Sequence, residues 1–253
     1  MKKDAQAPPG ASAEREMQLQ QKIIDAITIS PLYIIGFADI EGLLDGRLKK
    51  YRYAISIGRR LNDSIIDGIA NGPTKEYYAI YRETNRELES KLIEIGNLLE
   101  NSGLKHVLIK PTLEGNELDE DYYKTLRTPF SHKMAATRSG LGWIGKTDLL
   151  ISKAFGPRVR FVSILIENDS IEFATGVPVS QSKCGECNKC VIHCPANAAT
   201  GKKWNVQTDR DEFFNAYKCR EKCRELAKNN LDANASICGI CISVCPIGKR
   251  QKK

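Results

Sequence analysis

Nine cysteines carry the chemistry of this sequence. All lie between Cys184 and Cys245, and the 183 residues before them contain none. Cys184, Cys187, Cys190 and Cys194, followed by Pro195, spell C-x2-C-x2-C-x3-C-P. In such a run three close thiolates grip one iron–sulfur cluster and the fourth reaches to another. A second run, Cys238, Cys241 and Cys245-Pro246, reads C-x2-C-x3-C-P, with Ala235 where a further cysteine would stand. Two clusters with four thiolates each need one more ligand, and only Cys219 and Cys223 remain. The expected assignment is Cys184, Cys187, Cys190 and Cys245 for a first cluster. Cys194, Cys238, Cys241 and Cys219 take the second, with Cys223 spare; the spacing leaves the reverse choice of Cys223 open. Zinc sites close with four ligands and do not favour this run. An odd count with no secretory leader argues against a disulfide framework.

These thiolates must be presented by a folded body. Residues 14–28 suggest a short helix. LYIIGFADI (32–40) and YRYAISIG (51–58) have strand length and composition. A long helix is expected from an N-cap at Thr74 to Asn101-Ser102-Gly103, because Tyr78, Tyr81, Leu88, Leu92, Ile95 and Leu99 fall on one face. Asn85 interrupts that face and needs a polar partner. LKHVLIK (104–110) reads as a strand with His106 toward solvent, SHKMAATRSG (131–140) as a helix capped by Ser131, and VRFVSILIE (159–167) as a near-continuous apolar strand. Strands separated by helices indicate an α/β layer. The expected organisation is a flexible lead-in over 1–20, an α/β domain over 21–178 and a small ferredoxin-like double-cluster domain over 179–253.

A second informative stretch is RSGLGWIGKTDLLI, residues 138–151, with three glycines around Trp143. Glycine lets the backbone approach a bulky group closely. The G-x-G-x-x-G order follows a helix instead of a strand, which argues against a dinucleotide site. Two uses stay open, a backbone-lined ligand site and a tight packing turn around a buried tryptophan. Arg59 and Arg60, at the end of a strand, either flank a ligand or lie in solvent.

AATRSGLGWIGK, then DLLI, FGP, a strand, CGECNKCVIHCP and a distant CGICISVCP together resemble the epoxyqueuosine reductase family over roughly residues 30–250. The same layout is similar to that of the cobalamin-dependent reductive dehalogenases. The resemblance implies a corrinoid-binding α/β domain beside two 4Fe-4S clusters, and reductive removal of an epoxide oxygen from a tRNA-borne base. It places the corrinoid against Gly140, Leu141, Gly142, Trp143, Ile144, Gly145 and Lys146. A reduced corrinoid is a strong reductant, the clusters relay low-potential electrons to it, and a departing oxygen needs a general acid. The family's acidic D-x-G-P-type segment is replaced by Leu126-Arg127-Thr128-Pro129, so His132, Asp148 or a tyrosine is expected to supply the proton. EYYAIYRETN stands where the family has a G-R-D-Y-H-type motif. The resemblance also predicts a short form without the C-terminal helical-repeat extension that helps grip tRNA.

Composition is that of a soluble globular protein. The formal charge of +7 falls to about +3 once two clusters, each with a net charge of about −2 including its four thiolates, are bound, which permits a nucleic-acid partner without demanding one. No apolar run reaches membrane-spanning length, and the first twenty residues lack the apolar stretch of a signal peptide, so a cytoplasmic location is expected. The terminal KRQKK reads as a solvated basic tail. Three functions follow: a corrinoid and iron–sulfur reductase, an electron-transfer protein, or a reductive activator of a partner corrinoid protein. All three need a low-potential electron donor, and tRNA enters as partner only for the first.

Overall fold

The computed structural model describes residues 11–113, 115–167 and 171–249. Most of the basic tail lies outside the described residues. Helix α1 (Ala11–Thr28) begins three residues before the expected start. It leads into strand β1 (Tyr33–Asp39), which pairs with β2 (Tyr51–Arg60). A short helix α2 (Asp63–Asp67) and the long α3 (Lys75–Asn101) follow, then β3 (His106–Ile109). The α3 N-cap is Thr74, whose side chain accepts from the Tyr77 backbone N–H, as the Gly72-Pro73-Thr74 sequence predicts. Helices α4 (Glu120–Thr125) and α5 (His132–Arg138) precede a hairpin, β4 (Gly142–Ile144) and β5 (Leu150–Ser152), and strand β6 (Val159–Glu167). The cysteine-rich tail holds α6 (Lys189–Ile192), α7 (Arg210–Phe213), α8 (Ala216–Leu231) and α9 (Ile240–Val244).

The main sheet has the order β1-β2-β6-β3, with every neighbouring pair antiparallel. Alternation along each strand sends Phe37, Tyr53, Ile55, Ile57, Val162, Ile164 and Ile166 to the face covered by α1 and α3. Ala38, Ala54 and Leu165 face the opposite side, where Phe130 and Ala135 pack from the α5 region. Burial of both faces explains why β2 and β6 read as continuous apolar runs.

Three polar residues depart from a simple pattern reading. His106 is not a solvent-facing residue. It shares the α3-facing side of β3 with Leu108, and both sit against the α3 backbone at Gly96, where an added Cβ would lie 3.2 Å from each. A glycine on α3 makes room for the imidazole. Arg59 is paired with Glu87 of α3 at 2.6 Å, and the buried Arg60 with Asp63 at 2.7 Å. Both arginines therefore hold structure instead of facing a ligand or lying free in solvent.

Buried Arg158 anchors α2 through Asp63 at 3.3 Å and Asp67 at 2.6 Å. The cysteine-rich tail packs on the body at two places. Trp143 and Ile151 of the hairpin meet Val179, Ala198, Trp204, Phe213 and Phe214. Leu61, Ile66, Ile69 and Tyr77 meet Ala227 and Ile237. At the end of the described tail, Gly156 and Gly248 allow two backbones to touch: a Cβ on either would fall within about 2 Å of the opposing carbonyl oxygen. No helix among the described residues is long and apolar enough to cross a membrane.

Candidate functional site

The cysteine runs fold back on each other. Cys184, Cys187, Cys190 and Cys245 wall one small cavity, joined by Gly145, Lys146, Thr147 and Ile151 of the hairpin region and by Cys241. Short spacers place the first three on one loop ending in α6. The turn after α9 returns Cys245 to them. All nine cysteines are free thiols, Cys187 is exposed and Cys245 is buried. Five thiols meet at this cavity, and a cubane cluster needs four of them.

The second group gathers around α8. Cys219 and Cys223 lie one helical turn apart, with sulfurs at 3.8 Å. The Cys223 thiol is hydrogen-bonded to both Cys219 and Cys238, which raises Cys223 and lowers its two partners. Cys219 also packs in the same apolar cluster as Cys194, against Trp204, Phe213 and Phe214. Desolvation raises Cys241 and, together with weaker effects, pushes the Cys245 thiol up to about 11. Such groups ionise when a metal replaces the proton.

The hairpin delivers polar groups to these cysteines. The Trp143 Nε1–H donates to the Cys184 sulfur at 3.4 Å. Lys146 Nζ donates to the Cys187 carbonyl at 3.0 Å and to Asn188 Oδ1 at 2.7 Å. The Thr147 hydroxyl is hydrogen-bonded to Cys190 and to Cys241, one thiol from each run. The glycines fit this role. Gly140 has φ of +74°, and a Cβ there would meet the Val177 carbonyl oxygen at 2.6 Å. At Gly142 a Cβ would lie 2.2 Å from the Ile151 carbonyl oxygen, across the hairpin. Leu141 packs over Gly36 of β1, and Ile144 joins the apolar cluster around Trp143.

A much larger cavity, about 930 Å³, opens beside the second group. Its walls are the N-terminal half of α3, the segment 110–118, α4, α8 and residues 234–237 leading to Cys238. Tyr78, Tyr81, Tyr122 and Tyr123 supply aromatic faces, and Arg82, Arg86, Arg220 and Arg224 supply charge. Arg82 lies over the Tyr78 ring and Arg220 over Tyr123. Among the described residues, the guanidinium groups of Arg86 and Arg224 have no hydrogen-bond or ion-pair partner. Asn85 finds the partners its position demanded: its Oδ1 accepts from Arg160 Nε at 3.0 Å, and its Nδ2 donates to Thr112 at 3.3 Å. Arg160 in turn stacks on Tyr81 at 4.1 Å. None of residues 140–146 lines this cavity; Gly145 and Lys146 line the cysteine-walled one.

Neither His132 nor Asp148 lines the large cavity. His132 Nδ1 bonds with Ser163 Oγ at 2.8 Å and Nε2 with the Lys110 carbonyl at 2.9 Å. A carbonyl only accepts, so Nε2 carries the proton and Nδ1 accepts from the serine. Burial lowers the His132 pKa to about 4. Asp148, in a left-handed turn with φ of +57°, pairs with Lys133 of α5. Leu126 also adopts a left-handed conformation, with φ of +50°. The segment around it is tied to the tail. Arg210 donates to the Leu126 and Thr125 carbonyls, each at 2.7 Å, and Arg127 pairs with Asp209 and Asp211. This latch joins residues far apart in sequence, so no local signal announces it.

Fold and site thus define a double iron–sulfur protein built on an antiparallel α/β body. The 4Fe-4S double cluster binding domain family matches residues 183–248. The chain is 30% identical over 177 residues to the epoxyqueuosine reductase of Atelocyanobacterium thalassa, covering 70% of this chain and 52% of that one. It is 31% identical over 181 residues to the epoxyqueuosine reductase of Listeria monocytogenes, covering 69% and 39%. The chain is epoxyqueuosine reductase-like, and it spans about half the length of the curated relatives it matches. Its fold is shared with a reductive dehalogenase described with a mechanism for B12-dependent dehalogenation, at a TM-score of 0.65 and 14% identity over 99% of this chain and 34% of that one. It is shared too with an epoxyqueuosine reductase solved with an epoxyqueuosine-modified tRNA stem loop, at 0.55 and 16% over 92% and 66%.

Proposed function

We propose that the chain is a corrinoid-dependent iron–sulfur reductase of the epoxyqueuosine type. The observation that carries this reading is the 930 Å³ cavity walled by α8 and the residues preceding Cys238. Such a volume is at the upper end of ligand pockets. Flat tyrosine faces and two unpaired arginines suit a large planar cofactor with an anionic tail. We place the corrinoid here and assign the glycine-rich run 140–146 to the clusters. When bound, the corrinoid supplies a strongly reducing, nucleophilic metal centre, and the clusters supply electrons one at a time.

The chain's own residues define the route. Cys184, Cys187, Cys190 and Cys245 hold the first cluster, with exposed Cys187 at the entry for an external low-potential donor. Cys194, Cys238, Cys241 and Cys219 hold the second, next to the cavity. Cys219 packs on the same apolar cluster as Cys194 and is the eighth ligand we favour; Cys223, bonded to Cys219 and Cys238, is the alternative. Thr147 spans the two groups. At the cavity, Arg86 and Arg224 orient an anionic group. The hydroxyls of Tyr122 and Tyr123, on the helix just before Leu126, are the proton donors we favour for a leaving oxygen. His132 is fully engaged as a neutral strut, and Asp148 is held by Lys133. The substrate we propose is an epoxide borne on tRNA. Turnover of epoxyqueuosine-containing tRNA by the reconstituted chain with a chemical reductant tests this. Formation of queuosine supports the reading; bound cobalamin without turnover points to activation of a partner corrinoid protein instead.

A further inference from the structure

Lys146 is 2% exposed, yet its ammonium has only two hydrogen-bond partners, a backbone carbonyl and an asparagine oxygen, both uncharged. No carboxylate pairs with it among the described residues. One acid senses its charge, Glu186, and it is exposed and bonded to Lys203. Burying a cation costs desolvation free energy unless an opposite charge offsets it. A neutral side chain would tie the hairpin to Cys187 and Asn188 without that cost. The same residue walls the cavity lined by Cys184, Cys187, Cys190 and Cys245, with Cys241 of the other group at its edge.

We infer that Lys146 is the buried counter-cation of the first cluster and raises that cluster's reduction potential. Four thiolates around a 4Fe-4S core leave a net charge of about −2 when oxidised and −3 when reduced, and potentials follow net charge and hydrogen bonding. A fixed positive charge at the wall favours the more negative, reduced state. Trp143 Nε1–H, donating to Cys184, acts in the same direction. Lys146 is thus a positioning residue: it acts on electron entry through the cluster and does not touch the substrate cavity. The hairpin's glycines hold it there. The inference rests on the cluster-binding reading of the tail and is independent of whether a corrinoid is bound.

The test is an EPR-monitored redox titration of the reconstituted chain and of K146Q and K146R, with iron counted in each. K146Q keeps hydrogen-bond donors and loses the charge. The expected result is full iron and a reduction equilibrium at the first cluster at least tenfold less favourable, 59 mV for one electron. The second cluster should stay unmoved, and K146R should stay near the parent. An unmoved first cluster in K146Q, or equal shifts at both clusters, overturns the inference. If K146Q assembles only half the iron, K146R decides: full iron near the parental potential supports a charge role, and half iron in both variants makes Lys146 a strut. A parent chain that takes up no iron removes the cluster reading itself.

Discussion

Alanine at Gly142 is the smallest change that separates a packing glycine from a ligand-contacting one. Its Cβ would stand 2.2 Å from the Ile151 carbonyl oxygen and 2.9 Å from the Ser152 Cα. Ordinary van der Waals contact begins near 3.4 Å, so the β4–β5 pairing must open by roughly an ångström. That weakens the ladder pairs Gly142–Ser152, Trp143–Ile151 and Ile144–Leu150. Losing two or three net hydrogen bonds costs about 2 to 3 kcal/mol. Partial exposure of Trp143, now 7% exposed, adds about 1 kcal/mol. At about 2 to 4 °C per kcal/mol for a chain of this size, Gly142→Ala should lower Tm by roughly 10 °C. It should also loosen the Trp143–Cys184 contact and reduce iron at the first cluster by more than at the second. Anaerobic thermal unfolding by circular dichroism, with iron counted before heating, reads both quantities. A Tm within about 2 °C of the parent with full iron would refute the packing argument.

Other expectations follow from the same geometry. Cys219→Ser should remove one cluster's iron, whereas Cys223→Ser should retain it; the opposite result reverses the assignment of the eighth ligand. His132 is held neutral, its folded pKa near 4 lying below the ordinary 6.5. Its contribution to stability is therefore present above pH 6.5 and lost as pH falls toward 4. After discounting for partial exposure this is on the order of 2 kcal/mol. Urea unfolding at pH 7 and pH 5 should show that loss, and His132→Gln should flatten it; an equal slope in the variant would show that other groups titrate. Arg158→Met should cost about 2 to 3 kcal/mol, because Asp63 and Asp67 lose a fully buried partner. A urea midpoint unchanged by that substitution would contradict the role of the α2 anchor.

Much of the fold was legible because its signals are local. Thr74 caps α3, Ser131 caps α5, and Gly140 ends α5 with a positive φ, each at the position its residue type requires. The two cysteine runs were legible from spacing, and the structure brings Cys184, Cys187, Cys190, Cys241 and Cys245 to one cavity. Long-range partners were not. His106 alternates with apolar residues as a solvent-facing residue would, and only the glycine opposite it on α3 reveals its packing. The 930 Å³ cavity draws its walls from five separate segments whose tyrosines and arginines carry no shared spacing. The glycine-rich run is distinctive in sequence because a hairpin and the cysteines crowd it on both sides.

The most direct test of the central claim is the metal content of the chain after anaerobic reconstitution with iron, sulfide and cobalamin, compared with an Arg86→Ala/Arg224→Ala double variant. About eight irons are expected in both proteins, as two four-iron clusters require. One cobalt is expected in the parent, with at least tenfold weaker cobalamin retention in the variant. Eight irons with no cobalt in the parent, or equal cobalt in both, would contradict the assignment of the large cavity to a corrinoid.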